Sequence, residues 1–375
     1  MRIGIDVRAL STASGRRGVG TYIRSLTAAL AQEVRGTSDS IILFDNGSGD
    51  SLPQLDKVTR VKLMRPRRGI TLWDQVAWPP TLAARRVDVF HSPFYAVPRV
   101  TPPRCRVVQT VHDLTPLKLP DAVSPRQRKL FRFNFQLART AHRLIVPSEA
   151  TRTDVISLLG VPSERIIVIP EAADITPADV VQADARIPQV LRRLRIGRAY
   201  LLHTGGHDAV KNLPRLLSAF TALIQQGRDL ELVIAGEHGP GTSDVIQRAS
   251  ILGVLDRVRL PGFVPREDLI PLYRGALALV YPSRAEGFGL PVVEAMTCGL
   301  PVVASRAGPL PEVGGDACLY VDAASAAEMT QAVSKILDAG GLAADLARKG
   351  RARAAQFTWR ETARRTLAVY REVAA

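Results

Sequence analysis

The chain has 375 residues, 46% of them apolar, with 50 Lys and Arg against 35 Asp and Glu for a formal charge of +15 at pH 7. That length exceeds one ordinary hydrophobic core and suggests two domains, and no apolar run approaches the roughly 20 residues of a membrane-spanning helix. A basic balance of this size suits nucleic acid, an anionic membrane leaflet or a phosphorylated small substrate; with no nucleic-acid module signature, basic-aromatic repeat or zinc-finger spacing, nucleic acid is set aside.

The opening Arg2-Ile3-Gly4-Ile5-Asp6-Val7 reads as a first strand rather than a leader peptide. Strands are also expected at Ile41–Phe44, Val87–His91, Arg106–Val111 and Leu144–Val146, with helices at Tyr22–Glu33 and Gln127–His142 between them. A second series begins at Ala199-Tyr200-Leu201-Leu202-His203 and continues through Leu230–Ala235, Val258–Leu260, Leu277–Tyr281 and Pro301–Ala304. Alternation of this kind predicts an α/β fold with parallel sheets, here two doubly wound Rossmann-like domains joined by Glu171–Arg198. Cys105, Cys298 and Cys318 lie far apart without metal-ligand spacing. They read as small buried hydrophobes, consistent with a reducing, cytoplasmic setting.

Three regions carry chemistry. Ser14-Gly15-Arg16-Arg17-Gly18-Val19-Gly20-Thr21-Tyr22 is a glycine turn that opens a helix after the first strand, where exposed N–H groups suit a diphosphate. Thr204-Gly205-Gly206-His207-Asp208-Ala209-Val210-Lys211-Asn212 is a second such turn, after the first strand of the second series. The third is Arg284-Ala285-Glu286-Gly287-Phe288-Gly289-Leu290-Pro291-Val292-Val293-Glu294, which follows a buried strand. Its glycines break the chain and Pro291 suits a first helical turn. Glu286 is then expected in the turn and Glu294 on the first turn of the helix, both facing a ligand at the helix N-terminus. Taken alone, each glutamate is better explained without a ligand, Glu286 as a solvated loop residue and Glu294 as a complement to the helix dipole.

The segment from Arg284 to Glu294 resembles the paired-glutamate motif of retaining nucleotide-sugar glycosyltransferases of family 4, and the resemblance extends over nearly the whole chain. It implies the GT-B architecture, two Rossmann-like domains facing each other across a cleft. Residues 1–180 would form the acceptor domain, completed by a C-terminal helix over 357–375 that crosses back onto it, and residues 195–356 the donor domain. The helix after Phe357-Thr358-Trp359-Arg360 matches that crossing helix. By the same resemblance Gly18 and Gly20 lie over the donor phosphates. Gly205, Lys211 and Asn212 match a loop that ends Arg-Lys-Asn and holds the diphosphate, but the arginine position is Val210 here. His112, in Val111-His112-Asp113, matches a histidine near the sugar's 6-hydroxyl, and His91 is a second strand-end histidine. Gly262 and Val264 match the segment lining the base, Glu294 the residue that binds the ribose hydroxyls, and Glu286 the residue at the transferred sugar. Gly287, Phe288, Gly289 and Leu290 would offer backbone N–H groups to sugar and phosphate.

The expected activity is transfer of a hexose from a nucleotide-diphosphate sugar, with GDP-mannose as first choice, to a saccharide or lipid-linked saccharide acceptor in cell-envelope or polysaccharide synthesis. Retention follows from the family, with Glu286, His112 and Lys211 as the catalytic set and no cofactor. No Asp-x-Asp occurs in the chain, so the usual metal clamp has no candidate and none is expected. Ser124–Phe135, basic and aromatic together, reads either as a face resting on an anionic membrane at the cytoplasmic surface or as a helix whose core face is Leu130, Phe131 and Phe135. The alternatives are another GT-B nucleotide-sugar enzyme such as an epimerase or a phosphorylase, and a non-catalytic basic binding protein that keeps the fold.

Overall fold

The computed structural model describes residues 1–46, 56–63, 70–94 and 97–375. They form two compact units, Met1–Glu171 with Thr358–Ala375, and Ala172–Phe357.

The first unit contains β1 (Arg2–Asp6), β2 (Ser40–Asp45), β3 (Val58–Lys62), β4 (Val89–Ser92), β5 (Arg106–Thr110), β6 (Arg143–Val146) and β7 (Ile166–Val168). They make one parallel sheet of order β3-β2-β1-β4-β5-β6-β7. Both faces are covered, so the middle of β2, Ile41–Phe44, is apolar without interruption. Ile41 and Leu43 enter one core with the helix Gly18–Glu33 and the C-terminal helix Trp359–Ala374, while Ile42 and Phe44 enter another with Trp78, Phe90 and Leu144. The second unit repeats the plan with β8 (Tyr200–Thr204), β9 (Glu231–Ala235), β10 (Val258–Gly262), β11 (Ala278–Tyr281), β12 (Val302–Ser305) and β13 (Cys318–Val321), in the order β10-β9-β8-β11-β12-β13. β3, β7 and β13 are additions to the sequence reading; each is short and at or near a sheet edge.

Strand order reverses between β1 and β4 in one sheet and between β8 and β11 in the other. Loops leaving neighbouring strands there diverge, which opens a crevice at the carboxyl ends of the strands. The loop after β1 starts from a fully buried charge cluster. Arg8 donates from Nε and Nη2 to Asp6 at 2.8 and 2.8 Å, and from Nη1 and Nη2 to Asp74 at 2.7 and 3.0 Å. Its guanidinium also lies 4.7 Å from the Trp78 ring centroid. Farther along the loop a Cβ on Gly20 would sit 1.9 Å from the Gly15 carbonyl oxygen, so the close packing of this turn itself requires glycine there.

The segment expected to connect the domains folds as two short helices, Pro177–Asp184 and Ile187–Arg193, within the second unit. Ala183 and Val190 are buried. Arg186 and Arg193 both reach Asp268, Arg266 reaches Asp179 at 2.7 Å, and Arg274 reaches Asp184 at 2.8 Å. Part of the arginine excess is therefore stitched into the fold.

The basic segment forms the helix Pro125–Ala138, started by a Ser124–Gln127 capping box. Leu130 and Phe133 are 51% and 45% exposed, whereas Leu137 and Ala138 are buried and Phe135 packs partly against the core. Leu130 is thus not on the core face. All three cysteines are buried and free. Among the described residues no helix is long and apolar enough to cross a membrane.

Candidate active site

In the second unit the chemistry gathers where β8 and β11 run side by side. Past β8, Gly205 has φ +143, a conformation that disfavours any side chain, and its N–H donates to the Ala235 carbonyl at 2.9 Å. The chain then makes a 3-10 turn over Ala209–Lys211 and enters the helix Leu213–Gln225 through Asn212 in the left-handed region, φ +58. The Asn212 amide donates to the carbonyls of Pro282 and Ala323, at 3.1 and 2.6 Å, and the Arg284 N–H donates to the Val210 carbonyl at 2.8 Å. These bonds lay the loop across the end of β11.

They bring Lys211 onto Glu286. The Lys211 Nζ lies 2.6 Å from Glu286 Oε1 and donates to the Tyr281 hydroxyl at 2.9 Å, while that hydroxyl donates to the same Oε1 at 2.8 Å. The two charged side chains are 17% and 13% exposed, so the pair is largely but not fully withdrawn from water. Burial works against each charge, but the opposite charge overrides it: Glu286 is held below its ordinary 4.5 and Lys211 above its ordinary 10.5. The pair is ionised throughout the neutral range. Beneath it, His203 stacks on Tyr281 at 5.6 Å, and its Nδ1–H donates to the Val280 carbonyl at 3.0 Å. Burial pushes His203 down to about 4, so it is a neutral support.

The second glutamate stands on the helix Leu290–Thr297, which starts at Gly289 with φ +101. Glu294 lies one residue beyond the first turn, a small correction to its expected position. Its Oε2 accepts from the Tyr273 hydroxyl at 2.7 Å, and that hydroxyl lies 2.9 Å from Thr204 Oγ1. Burial raises Glu294 above its ordinary value, although the Tyr273 hydrogen bond opposes this. Gly287, Phe288 and Leu290 are buried in the same turn, with Phe288 edge-on to Phe357. At the end of β10, Gly262 has φ +75 and its carbonyl accepts from the Gly236 N–H at 3.0 Å; Val264 is buried in the core.

The first unit has its own cluster past β5. The ring of His112 is bracketed by Glu171 Oε1, 2.8 Å from Nδ1, and the Pro93 carbonyl, 2.7 Å from Nε2. Tyr22 meets it edge-on at 4.7 Å. His91 is taken up by packing: its ring nitrogens contact Thr110 Oγ1 at 2.8 Å and the Tyr370 hydroxyl at 2.6 Å, and burial pushes it down to about 3. At the glycine turn Gly18 is exposed at the helix start and Gly20 is buried.

The structure therefore joins Lys211, Glu286 and Gly205 in one place, keeps Glu294 on the adjoining helix, and places Asn212 as a brace for the loop. Tyr281, Tyr273 and His203 were missed by sequence reasoning, and Glu171, though part of a segment that resembles the family, had no role assigned. Tyr281 had a signal, as the last residue of an apolar strand just before the glutamate turn.

Residues 16–176 match the family model of glycosyltransferase family 4, and residues 192–353 match that of glycosyl transferases group 1. The O-antigen chain mannosyltransferase B of Escherichia coli is 28% identical over 94% of this chain and 96% of its own length. The D-inositol 3-phosphate glycosyltransferase of Acidothermus cellulolyticus is 32% identical over 77% of this chain and 68% of its own. Among solved structures, the fold is similar to that of WaaG, a glycosyltransferase involved in lipopolysaccharide biosynthesis, with a TM-score of 0.76 at 15% identity over 98% of this chain and 99% of that one. With the two glutamates, the lysine loop and two parallel sheets in place, these matches establish that the chain belongs to glycosyltransferase family 4 and has the GT-B fold.

Proposed function

We propose that this glycosyltransferase moves a hexose, in the first instance mannose from GDP-mannose, with retention onto a saccharide or lipid-linked saccharide acceptor of a cell-envelope polysaccharide. The observation that carries this reading is the Lys211–Glu286 pair, ionised and partly open to solvent at the switch point of the second sheet. The first choice of mannose draws on the similarity to the E. coli mannosyltransferase along almost the full length of both chains.

Cleaving a sugar–diphosphate bond puts negative charge on the departing phosphate and positive charge at the anomeric carbon. Lys211 is the fixed cation for the phosphate, acting with loop and helix-start amides in the manner of a preorganised oxyanion site. Glu286 remains ionised and is oriented by Tyr281, so it positions the sugar and stabilises the developing cation without forming a bond to it. The leaving phosphate takes the acceptor's proton on the same face. Glu294, oriented by Tyr273, accepts from the ribose hydroxyls. The His112 edge contacts the transferred sugar. No step uses a metal. On the first unit, exposed Leu130 and Phe133 sit among Arg126, Arg128, Lys129 and Arg132, a face suited to anionic lipid at about 1 kcal/mol per cation.

The test is incubation with GDP-mannose, and in parallel with UDP-glucose, using a lipid-linked saccharide acceptor with and without chelator. Anomeric proton signals of the product report stereochemistry. A retained anomer from one donor, unaffected by chelator, supports the reading. An inverted product or a chelator-sensitive rate overturns the corresponding part. Flotation with anionic and neutral vesicles tests the lipid face, and recovery in the soluble fraction with both would remove it.

A further inference from the structure

His112 is flanked by two groups that only accept. Its Nδ1 faces the Glu171 carboxylate at 2.8 Å and its Nε2 faces the Pro93 carbonyl at 2.7 Å. A neutral imidazole carries one N–H, so either tautomer would aim a lone pair at an oxygen lone pair in one of these contacts. Only the doubly protonated ring satisfies both. The site is largely closed, with the His112 and Glu171 side chains 13% and 6% exposed, so water does little to soften a mismatch.

We propose that Glu171 is a positioning residue that holds His112 as an imidazolium, both N–H groups engaged within the protein, so that this histidine presents the substrate with positive charge and never acts as a base. The surrounding groups agree. Asp113 adds a further attraction, and Tyr22, from the helix Gly18–Glu33, packs T-shaped against the ring and is held neutral by burial. His91, the other imidazole near it, is neutral and so does not oppose the charge. Burial pulls His112 toward neutrality, but the Glu171 hydrogen bond and charge outweigh it and leave the ring above its ordinary 6.5.

Neither Glu171 nor this charge state follows from the proposed sugar transfer; only the kinetic arm of the test rests on that reading. The first arm is nitrogen NMR of histidine-labelled full-length protein, with His112 assigned by its loss in His112→Gln. At pH about 6.5 both His112 nitrogens are expected in the protonated position, with deprotonation only at higher pH. In Glu171→Gln the amide NH2 can donate to Nδ1 while Nε2–H donates to the Pro93 carbonyl, which satisfies a neutral ring, so the ring should be neutral at that pH and titrate below it. One unprotonated nitrogen in the unsubstituted protein at that pH overturns the proposal, even if Glu171→Gln fails to fold. The second arm is turnover. Glu171→Gln should lose about tenfold in kcat, the 1.4 kcal/mol of one pH unit, with KM for the donor little changed, and recover as pH falls and the ring recharges. A kcat loss independent of pH would assign Glu171 a structural role. Absence of any turnover in the unsubstituted protein would count against sugar transfer and leave the NMR result standing.

Discussion

The two units each hold a buried ion cluster at the carboxyl end of a central strand, and the clusters are built to opposite plans. Arg8 in the first is 1% exposed and directs four charge-assisted hydrogen bonds to Asp6 and Asp74, themselves 4% and 1% exposed. Its donors are occupied from inside the protein, and it pins the start of the glycine turn. Lys211 and Glu286 in the second meet through a single carboxylate oxygen, share it with Tyr281, and remain in contact with solvent. A charge saturated on all sides is a structural tie. A charge paired on one side and open on the other is available to a ligand.

The comparison is sharpened most by removing one member of the closed cluster. Arg8→Met leaves two buried carboxylates without their cation and should destabilise the protein by about 3–5 kcal/mol, read from the urea midpoint at unchanged slope. A loss below about 1 kcal/mol would show that water already solvates this cluster. Glu286→Gln should have the reverse profile, with turnover down by roughly 10²–10³, equivalent to about 2.7–4 kcal/mol of transition-state stabilisation, while the fold survives. Full activity in that variant removes Glu286 from the chemistry.

Glu286 also makes a prediction about acid. Its folded value lies below its ordinary 4.5, so the unfolded chain takes up its proton first as pH falls. Its contribution to stability is fully present above about 4.5 and disappears as pH drops through the folded value. Glu286→Gln should therefore flatten the stability curve below that point; an unchanged curve would mean that the pair breaks before the carboxylate titrates. Tyr273→Phe is milder. Losing one hydroxyl from Glu294 should weaken GDP binding by about 0.5–1.5 kcal/mol in calorimetry, with kcat nearly unchanged. The smallest effect belongs to the more exposed stitches on the segment after Glu171, Arg266–Asp179 and Arg274–Asp184. Raising salt from about 0.1 to 1 M shortens the screening length from roughly 10 to 3 Å and should lower the melting temperature only slightly, since such pairs are worth about 0–1 kcal/mol each.

Much of this was readable in the chain. Strands buried on both faces announce themselves as continuous apolar runs, and β1, β2, β8, β9 and β11 were found on that basis. β3 escaped because Val58-Thr59-Arg60-Val61-Lys62 sets two apolar residues among polar and charged ones, and β7 and β13 escaped because, although apolar, they are only three and four residues long. Lys211, Glu286 and Glu294 were readable because glycines and a proline mark their turns. The Tyr281 hydroxyl that orients Glu286 carries no such mark, since tyrosine in a strand usually signals packing. Contacts across long stretches were invisible altogether. Arg8 meets Asp74, 66 residues away, and His112 meets Glu171, 59 residues away, and neither spacing follows any helical or strand period. Gly20 was assigned to phosphate, but the close approach of Gly15 is sufficient reason for a glycine there.

The first unit is assembled from both ends of the sequence: Tyr370 hydrogen-bonds the buried His91, and Leu367 and Val369 close the core over β1. On the ribosome, the sheet that begins at Arg2 must therefore wait with one wall open while residues 172–357 emerge and fold, and it closes only when the last turns of the chain arrive. The sheet of the first unit is made before the second unit and finished after it, and a stop just after residue 357, which spares every candidate active-site residue, would still leave its core exposed to chaperones and proteases.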